Sequence, residues 1–558
     1  MKAGKRVVWV SALIFLFGCA KEASLEMKKG SVEEPAQAPS GMISSAHPLA
    51  TEAGLDILQS GGNAFDAAVA VAAALNVVEP MSSGMGGYGT IMVYDAESRR
   101  ARYLDSSGRI PTAVDSDAFR PPTPGYLENR KGAKAVSTPG NVNAWEAMSR
   151  EYGRLPWARL FDFAVRLAEE GFPLDERTAD SIAYAYDAFP PHAQEIYGVS
   201  GGAPAVGDLL VQSNLARTFH LIAEQGAEVF YRGEIGSAID REMKEGGGFL
   251  SLEDLKRDRA EWWEPIGIEY RGYVVMTASP PSTAFPSLIR LGLMSQWDPA
   301  ETGHNSAPYL HRFAEATKHA FWCRLAYAGD PDIAPPPLEI LLSPEYWAQT
   351  TSQMDMNEAS VFVPPKQRMS SGTDTTHFVA ADRWGNIVCA TQTLGNSFGS
   401  RILVRDAGIW MNNSLAYCTF EPKGNPMDAH AGHRKLSGDC PTLIFKDDRP
   451  WVALGTPGGH TIGQTVPQMV MNIIDFGMDI QQALTAPRIS FIEPDRIVLE
   501  EGITREVEEE LIRMGHHVVR GGRLGNAHGL TLVYDEKGRL KGFEGGADPR
   551  GVGLAQGY

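Results

Sequence analysis

The sequence predicts an α/β protein in which β-sheets are layered against helices. Two observations lead to this prediction: segments with helical periodicity alternate with short apolar segments of strand length, and two such strands flank a tight turn at residues 382–386. The chain has 558 residues, of which 43% are hydrophobic, so it is long enough for a large layered core or for more than one domain.

The first 18 residues have the pattern of a secretory signal peptide. Lys2, Lys5 and Arg6 precede an apolar run, residues 7–18, that is too short to span a bilayer as a mature helix. The run ends in Leu16-Phe17-Gly18-Cys19, which resembles a bacterial lipobox and implies cleavage before Cys19 and acylation of its thiol. Because Phe17 is unusual in such a motif, an ordinary secretory signal is the alternative.

Residues 19–40 are expected to form a flexible, lipidated tether, because they are polar, charged and proline-bearing from residue 21 onward. Ala20 stands where an aspartate would favour retention in the inner membrane, so the sorting pattern implies the outer membrane. The expected location is the bacterial cell envelope, with a periplasm-facing domain held to the membrane by its lipid.

The net charge limits the class of binding partner that the sequence predicts. The net charge of −17, without a long basic run, argues against nucleic acid and favours a small solute or a peptide.

The remaining cysteines show no C-x-x-C spacing, so they are expected to be buried as small hydrophobic residues, and the sequence does not pair them: Cys323, Cys389, Cys418 and Cys440.

The folded body is predicted to begin near residue 45, and residues 174–350 are predicted to be mainly helical. Helices are expected at residues 49–58, 65–78, 142–151, 157–170 and 309–327, with strands at 90–94 and near 266–277. The glycine-rich residues 82–89 lie between a helix and a strand. Because a phosphate-binding loop follows a strand and precedes a helix, nucleotide binding is not expected there.

Residues 351–374 are polar and lack periodicity, which predicts a mobile arm. Beyond residue 400, short strands are expected at residues 402–404, 408–412, 442–446, 452–455, 497–499 and 530–534, with helices at 461–476 and 480–486.

A hairpin is predicted where the arm ends. Residues 378–381 and 387–390 form its two strands, and Gly385 and Asn386 are expected to supply the positive φ angles of its turn.

The hairpin brings Thr375 and Thr393 together at its open end. If the bond between Asp374 and Thr375 is cut, Thr375 gains a free α-amino group beside its hydroxyl and becomes a nucleophile with its own base. The reference pKa of such an amino group, about 7.7–8.0, suits a general base at neutral pH.

Three motifs in this region resemble the γ-glutamyltransferases (glutathione hydrolases): Thr375-Thr376-His377-Phe378, Asp382…Gly385-Asn386 and Thr391-Gln392-Thr393-Leu394…Phe398-Gly399. Further parts of the family pattern recur from about residue 45 to residue 558. The resemblance implies an N-terminal-nucleophile hydrolase with a four-layer αββα fold that cleaves itself before Thr375. The expected products are a large subunit, residues 41–374, and a small catalytic subunit, residues 375–558, held together as a heterodimer.

The resemblance also implies catalytic roles. Thr393 matches a second threonine that orients the nucleophile, and Gly458 and Gly459 match a Pro-Gly-Gly turn whose N–H groups form the oxyanion hole. The alternatives are an ordinary strand threonine and a helix-entry turn. His377, two residues after Thr375, is expected to be a core histidine rather than an acid–base catalyst.

The substrate-binding positions depart from the family pattern. A γ-glutamyl group carries a carboxylate and an ammonium, which the family binds with an arginine and an aspartate. Ser107 stands at the arginine position, with Arg109 two residues on as a possible replacement, and Tyr417 stands at the aspartate position. The other candidates are Ser414, Ser437, Gly438 (where the family has a second serine) and Asn396, which follows Gly395 at a family asparagine position.

The expected function is hydrolysis or transfer of γ-glutamyl groups, with glutathione or a related compound as donor. One alternative is an acylase for another amide, which Ser107 and Tyr417 favour; the other is a processed but inactive envelope protein that binds a ligand or partner. No cofactor is expected. No metal is expected, because His430 and His433 lie in a loop-like stretch where no carboxylate or cysteine spacing completes a site.

Overall fold

The computed structural model describes residues 34–120, 130–364, 374–492 and 495–558. Two seven-stranded sheets form its centre, and all neighbouring strands in them are antiparallel. The first, called the threonine sheet here, contains in order Leu554–Gly557, Gly41–Ser45, Asp374–Asp382, Ile387–Gly395, Tyr88–Asp95, Arg100–Asp105 and Glu261–Trp263. The second, called the companion sheet, contains in order Ala36–Ala38, Leu540–Ala547, His528–Tyr534, Arg449–Gly455, Thr442–Lys446, Tyr273–Thr277 and Ile266–Tyr270.

The two sheets pack face to face, and helices cover their outer faces. Val379 of the threonine sheet and Ala453 of the companion sheet belong to one buried cluster between the sheets. Phe378, the neighbour of Val379, points to the opposite face and packs with the helices there, as strand alternation requires. Leu454 likewise packs with the helices outside the companion sheet. The predicted four-layer αββα fold is therefore confirmed.

The helical layers divide between the two sheets. The threonine sheet carries Pro48–Gln59, Ala64–Val78 and the smaller helices around them, and the companion sheet carries Phe285–Met294, Ala307–Tyr327, Ile462–Ile474 and Ile480–Thr485. The other α-helices are Asn141–Tyr152, Asp162–Glu170, Glu176–Ala185, Pro191–Tyr197, Ser213–Gln225, Glu228–Tyr231, Glu234–Glu245, Leu252–Arg257, Leu338–Leu341, Pro344–Thr351 and Arg505–Arg513. Short accessory sheets pair Leu403–Val404 with Ile409–Trp410, Phe172–Pro173 with Leu209–Leu210, and Arg496–Leu499 with both Ile489–Ile492 and His517–Arg520.

Asp382 shapes the turn of the central hairpin. Its carboxylate accepts hydrogen bonds from the N–H groups of Trp384 at 2.9 Å, Asn386 at 3.1 Å and Ala64, at the start of a helix, at 2.8 Å. Gly385 has a φ of +89°, but Asn386 does not have a positive φ, so the prediction for Asn386 is wrong. Its side-chain amide instead donates to Asp382 at 2.9 Å.

The fold begins earlier than predicted. Ala36–Ala38 pairs with Leu540–Ala547, so residues 36–40 are part of the folded domain and not of a flexible tether. The remaining tether, the signal segment and Cys19 lie outside the described residues. Among the described residues, no helix has the length and apolarity needed to cross a bilayer.

The first part of the predicted mobile arm packs against the rest of the fold. The backbone carbonyl of Ser360 accepts a hydrogen bond from Lys318 at 2.7 Å, and its N–H donates to Glu315 at 3.3 Å. Phe362 is buried against Phe321 and Phe491. These contacts contradict the prediction of mobility for this part, whereas residues 365–373 lie outside the described residues.

The helix predicted over residues 157–170 also differs from the structure, at its start. The single helix expected over residues 157–170 begins as a 3-10 turn, Trp157–Phe161, before the α-helix Asp162–Glu170.

Candidate active site

Thr375 and Thr393 meet at the open end of the central hairpin. Their Oγ1 atoms lie 3.1 Å apart, and each lies 2.7 Å from the carbonyl oxygen of Asp374. The strand pairing shifts register between Asp374 and Thr376, so Thr375 lies in a β-bulge that re-aims its side chain. The N–H of Gly395 donates to Thr393 Oγ1 at 2.7 Å. The Thr393 hydroxyl is therefore free to donate its own proton to the Asp374 carbonyl.

A partly buried ion pair supports the residues on both sides of Thr375. Glu79 accepts a hydrogen bond from the Thr376 hydroxyl at 2.8 Å and pairs with Arg177. Arg177 also donates to Ser82 Oγ at 3.2 Å and lies 3.5 Å from the Asp374 carboxylate. This ion pair was not predicted from the sequence. The one sequence feature that indicated it is a glutamate directly after an apolar helix, at the edge of the glycine-rich segment.

Gly458 and Gly459 lead into the helix Ile462–Ile474 with φ angles of +138° and +60°. Both values lie in the region that glycine adopts without strain. The carbonyl of Gly458 accepts from the Thr461 hydroxyl at 2.9 Å, which holds the turn. No described residue accepts a hydrogen bond from either glycine N–H, so both donors are available to a developing oxyanion.

His377 lies in the core between the sheets. Its Nδ1 is 2.8 Å from Thr391 Oγ1, and a Cβ on Gly455 of the companion sheet would lie 2.4 Å from the ring. Burial lowers the pKa of His377 well below its usual range, so the imidazole is neutral. The position is that of a packed core histidine.

Ser107 is fully buried, and its hydroxyl is committed to a carboxylate. It donates to Asp105 Oδ2 at 3.0 Å, and its N–H donates to Asp105 Oδ1 at 3.0 Å. Tyr103 donates to the same carboxylate at 2.9 Å. Burial raises the pKa of Asp105, and these hydrogen bonds oppose that rise.

Arg109 is bound by groups of the protein itself. Its guanidinium lies 2.5 Å from the Glu261 carboxylate and 3.3 Å from the carbonyl oxygen of Gly432. Behind this pair lies Asp258, which accepts from the Asn143 amide at 2.7 Å while its Oδ1 has no hydrogen-bond partner among the described residues. Burial raises the pKa of Asp258 to about 7.

Asn396 and Ser414 lie beside two asparagines that order this loop. Asn413 Oδ1 accepts from the Asn396 N–H at 2.9 Å and fills the space beside Gly395, where a Cβ would lie 2.1 Å from it. The Asn396 side-chain oxygen has no hydrogen-bond partner among the described residues. Ser414 donates its N–H to Asn412 at 3.1 Å, and its hydroxyl pairs with that of a neighbouring serine.

Tyr417 and Gly438 lie together next to the glycine turn. A Cβ on Gly438 would lie 3.5 Å from the Tyr417 ring and 3.6 Å from the carbonyl oxygen of Gly459. Ser437 donates its hydroxyl to Asp439 at 2.7 Å. The structure therefore places three predicted substrate-binding residues, Tyr417, Ser437 and Gly438, alongside the predicted oxyanion turn.

Lys435 was not singled out from the sequence, yet it lies at the centre of this region. Its ammonium is buried 2.9 Å from the centroid of the Tyr88 ring and 5.5 Å from that of Tyr417. Burial lowers the pKa of Lys435 and raises that of its neighbour Asp439. The sequence signal was weak, because a lysine between arginine and leucine in a polar loop is usually exposed.

Another polar cluster lies away from the two threonines. His311, Glu315 and His516 bring potential metal-ligand atoms within 4.8 Å of one another. However, His311 Nδ1 lies 2.7 Å from His516 Nε2, within hydrogen-bonding distance, and Glu315 pairs with Lys318 at 2.7 Å. The two histidines are thus partnered with each other, and the glutamate is partnered with the lysine.

The predicted histidine pair and the cysteines occupy ordinary structural positions. His430 lies 2.8 Å from the carbonyl oxygen of Asn425, and His433 lies 3.3 Å from Asp330. The cysteines are free and buried, as predicted: Cys323, Cys389, Cys418 and Cys440.

Comparison with known proteins gives consistent matches along the chain. The family model described as Gamma-glutamyltranspeptidase matches residues 50–558. The Glutathione hydrolase proenzyme of Escherichia coli (strain K12) is 34% identical over 548 residues, covering 94% of this chain and 93% of the relative. The Acylase ACY 1 proenzyme of Pseudomonas sp. (strain V22) is 34% identical over 524 residues, covering 91% and 92%.

Solved structures agree with these matches. The crystal structure of cephalosporin acylase from Bacillus halodurans aligns with a TM-score of 0.86 at 30% identity, covering 99% of each chain. The structure of Helicobacter pylori gamma-glutamyltranspeptidase aligns with a TM-score of 0.55 at 32% identity, covering 57% of this chain and 92% of its own. In sequence identity, the relative named a glutathione hydrolase and the relative named an acylase are thus equally similar to this chain.

Proposed function

Because this enzyme belongs to the gamma-glutamyltranspeptidase family, we propose that it is a self-processing amide hydrolase or acyltransferase whose nucleophile is Thr375. Cleavage before Thr375 divides the chain into a large and a small subunit. The substrate is an amide, and the acyl group passes through an ester on the Thr375 hydroxyl.

The observation that carries this proposal is the contact of two threonine hydroxyls with one carbonyl group. Thr375 Oγ1 and Thr393 Oγ1 both lie 2.7 Å from the Asp374 oxygen. Donation by Thr393 polarises that carbonyl, while Thr375 Oγ attacks its carbon. As the C–N bond breaks, the hydroxyl proton passes to the Thr375 nitrogen, and an ester remains between Asp374 and Thr375 Oγ. Water then hydrolyses the ester, which gives Asp374 a terminal carboxylate and leaves Thr375 with a free hydroxyl beside its free amino group.

The mature enzyme repeats this chemistry on its substrate. The α-amino group of Thr375 accepts the hydroxyl proton, and the tetrahedral intermediate places its oxyanion on the N–H groups of Gly458 and Gly459. The amine product leaves with a proton as the C–N bond breaks. Water or a second amine then attacks the threonyl ester, which gives hydrolysis or transfer.

The first candidate donor is a γ-glutamyl compound such as glutathione, because relatives across the full chain are named glutathione hydrolases. The second is a different acyl amide. Ser107 is committed to Asp105, and Tyr417 fills the position expected to bind the donor ammonium, which favours this second candidate. An inactive binding protein is disfavoured, since the Thr375–Thr393 geometry has no use in one.

Self-cleavage is the direct test. The purified protein should separate under denaturing conditions into two fragments, the smaller beginning at Thr375, and mass spectrometry should identify that terminus. Thr375→Ala should remain one chain and lose amidase activity, whereas Thr375→Ser, which keeps a hydroxyl, should still mature. An uncut wild-type chain with full amidase activity would exclude Thr375 as the nucleophile.

We also propose that the enzyme is a lipoprotein of the cell envelope, on the strength of the Leu16–Cys19 motif. Cys19→Ala should then move the protein from the membrane fraction to the soluble fraction. Cys323→Ala, at a buried cysteine, serves as the control and should not. A Cys19→Ala protein that still fractionates with membranes would disprove lipidation at this site.

A further inference from the structure

Glu79 and Arg177, called the Glu79–Arg177 pair here, contact the two residues that flank the proposed nucleophile. Glu79 directly follows the helix Ala64–Val78, and Arg177 lies in the first turn of the helix Glu176–Ala185. Glu79 has 1% of its surface exposed, so its carboxylate depends on partners inside the protein. Those partners are the guanidinium of Arg177 and the hydroxyl of Thr376, which donates at 2.8 Å.

Two nitrogens of the Arg177 guanidinium have different partners. Nη1 binds Glu79, whereas Nη2 donates to Ser82 Oγ at 3.2 Å and lies 3.5 Å from the Asp374 carboxylate. The planar guanidinium presents these donors in fixed directions. The pair therefore reaches the residue before the scissile bond directly, and it reaches Thr376 through Glu79.

The helices on which the pair stands are joined to each other. The Thr178 hydroxyl donates to the carbonyl oxygen of Val78 at 3.4 Å, and Asp175 caps the second helix by accepting from the Thr178 N–H at 3.1 Å. The C-terminal end of the first helix carries a partial negative charge, which favours the Arg177 cation beside it. The pair is thus held in place by its own helices.

Self-cleavage requires accurate placement of the segment that the pair contacts. Thr375 Oγ1 must reach the carbonyl carbon of Asp374 while Thr393 donates to the carbonyl oxygen. The strand pairing shifts register between Asp374 and Thr376, so the sheet ladder constrains this segment less than it would a regular strand. The pair supplies side-chain contacts at both ends of the irregular segment.

We propose that the Glu79–Arg177 pair positions the scissile peptide for self-cleavage: Arg177 holds Asp374, and Glu79 holds Thr376. This inference rests on the proposed function, since Thr375 must still be the nucleophile. In the step itself, Thr375 Oγ bonds to the Asp374 carbonyl carbon, the C–N bond breaks, and the hydroxyl proton passes to the Thr375 nitrogen. The pair gains and loses no proton; both its members are positioning residues, and Arg177 makes a carboxylate before Thr375 a requirement for rapid maturation.

A double-mutant cycle on the full chain tests the contact between Arg177 and Asp374. The measurement is the rate constant of fragment formation after synthesis. Asp374→Ala should slow it about fivefold or more in the wild-type background, but less than about twofold in the Arg177→Met background, because the partner is already absent there. A purely structural arginine would leave the two factors equal, and equal factors would overturn the proposal.

Arg177→Lys keeps the test decisive should Arg177→Met fail to fold. Lysine retains a cation for the buried Glu79, but it has one nitrogen where arginine uses two, so it cannot bind Glu79 and Asp374 through separate donors. The Asp374→Ala factor should therefore again fall below about twofold. A factor as large as that in the wild-type background would overturn the proposal.

The contact between Glu79 and Thr376 is tested by conservative variants. Thr376→Val keeps the shape of the side chain and removes the hydroxyl, so maturation should slow about fivefold or more. Thr376→Ser keeps the hydroxyl and should restore most of the rate. Equal rates in the two variants would remove Glu79 from the positioning role.

Arg217 provides the matched control, because it forms an exposed ion pair with Glu234 at 2.7 Å on other helices of the large subunit. Arg217→Met should mature at the wild-type rate and should leave the Asp374→Ala factor unchanged; a reduced factor there would overturn the proposal. A wild-type chain that matures while the factors in the cycle are equal overturns this inference alone. A wild-type chain that never yields a fragment beginning at Thr375 overturns the proposed function as well.

Discussion

The reaction centre and the headgroup region satisfy their buried polar groups differently. In the reaction centre, Thr375 and Thr393 contact each other and the Asp374 carbonyl, and Gly395 fixes the Thr393 hydroxyl. The headgroup region, defined here by Tyr88, Asn396, Tyr417 and Lys435, contains three polar atoms without a hydrogen-bond partner among the described residues: Tyr88 Oη, Asn396 Oδ1 and Lys435 Nζ.

The difference indicates which part of the site is specialised. An unpartnered buried polar group reduces stability, so its retention points to a use in binding. The reaction centre matches what the family resemblance implies, whereas the headgroup region has changed in charge and in size. Bond cleavage and acyl selection therefore lie in separable parts of one site, and substitutions should affect them separately.

The largest effect is expected in the reaction centre. Thr393→Ala removes the donor to the Asp374 carbonyl, so self-cleavage should slow by roughly 10²–10³-fold, the usual loss for one such donor. Thr393→Ser should restore most of the rate. The measurement is the time course of fragment formation after synthesis. Maturation of Thr393→Ala at the wild-type rate would show that this hydroxyl is not needed.

Behind the headgroup region, Asp258 should make stability depend on pH. Its folded pKa of about 7 lies above the ordinary value of 3.8, so the folded state holds the proton more tightly between those two pH values. Stability is then highest below about pH 4 and falls until about pH 7; from pH 5 to pH 8 the loss is roughly 3 kcal/mol for this group.

Asp258→Asn should remove that loss, because the amide keeps the hydrogen bond from Asn143 and carries no charge. Chemical unfolding at pH 5 and pH 8 measures the change. Asp332→Asn, at an exposed carboxylate bound by Arg434, is a suitable control and should not reduce the difference between the two pH values. An identical pH dependence in Asp258→Asn and wild type would contradict the assignment.

The sequence predicted the central elements of the fold well and its edges poorly. The hairpin and the helices beneath it have strong alternation or strong periodicity, and they appear close to the expected positions. The strands Leu554–Gly557, at a sheet edge, and Leu540–Ala547, next to an edge, were missed, because their glycine and polar residues leave little alternation. Their pairing depends on partners distant in sequence, which local patterns do not contain.

The same limit applies to the site. Thr375 and Thr393 were predictable, because one hairpin holds both. Glu79, Arg177 and Lys435 were not, since each acts through a contact made by a different part of the chain. Departures from the family pattern at Ser107 and Tyr417 showed that the headgroup region had changed, but not that a lysine had entered it.

Exchanging the charge in the headgroup region should increase the enzyme's preference for γ-glutamyl donors. Tyr417→Asp alone places a carboxylate near Lys435, so the two should pair and leave little attraction for a donor ammonium. With Lys435→Met added, the carboxylate becomes available. The double variant should raise the ratio of kcat/KM for γ-glutamyl p-nitroanilide to kcat/KM for butyryl p-nitroanilide by about tenfold or more. Tyr417→Asn with Lys435→Met is the control; an equal shift there would show that the aspartate charge plays no part.

The smallest effect is expected at Arg109, the residue that the sequence offers for the donor carboxylate. Its guanidinium is occupied by Glu261 and by the Gly432 carbonyl, so a donor would have to break an existing ion pair to use it. Glu261 also pairs with Arg434, so Arg109→Ala leaves that carboxylate partnered and should cost at most about 1 kcal/mol of stability. The KM for γ-glutamyl p-nitroanilide should change by less than about threefold, which is under 1 kcal/mol of binding. A tenfold rise in this KM for Arg109→Ala would show that the arginine binds the donor carboxylate.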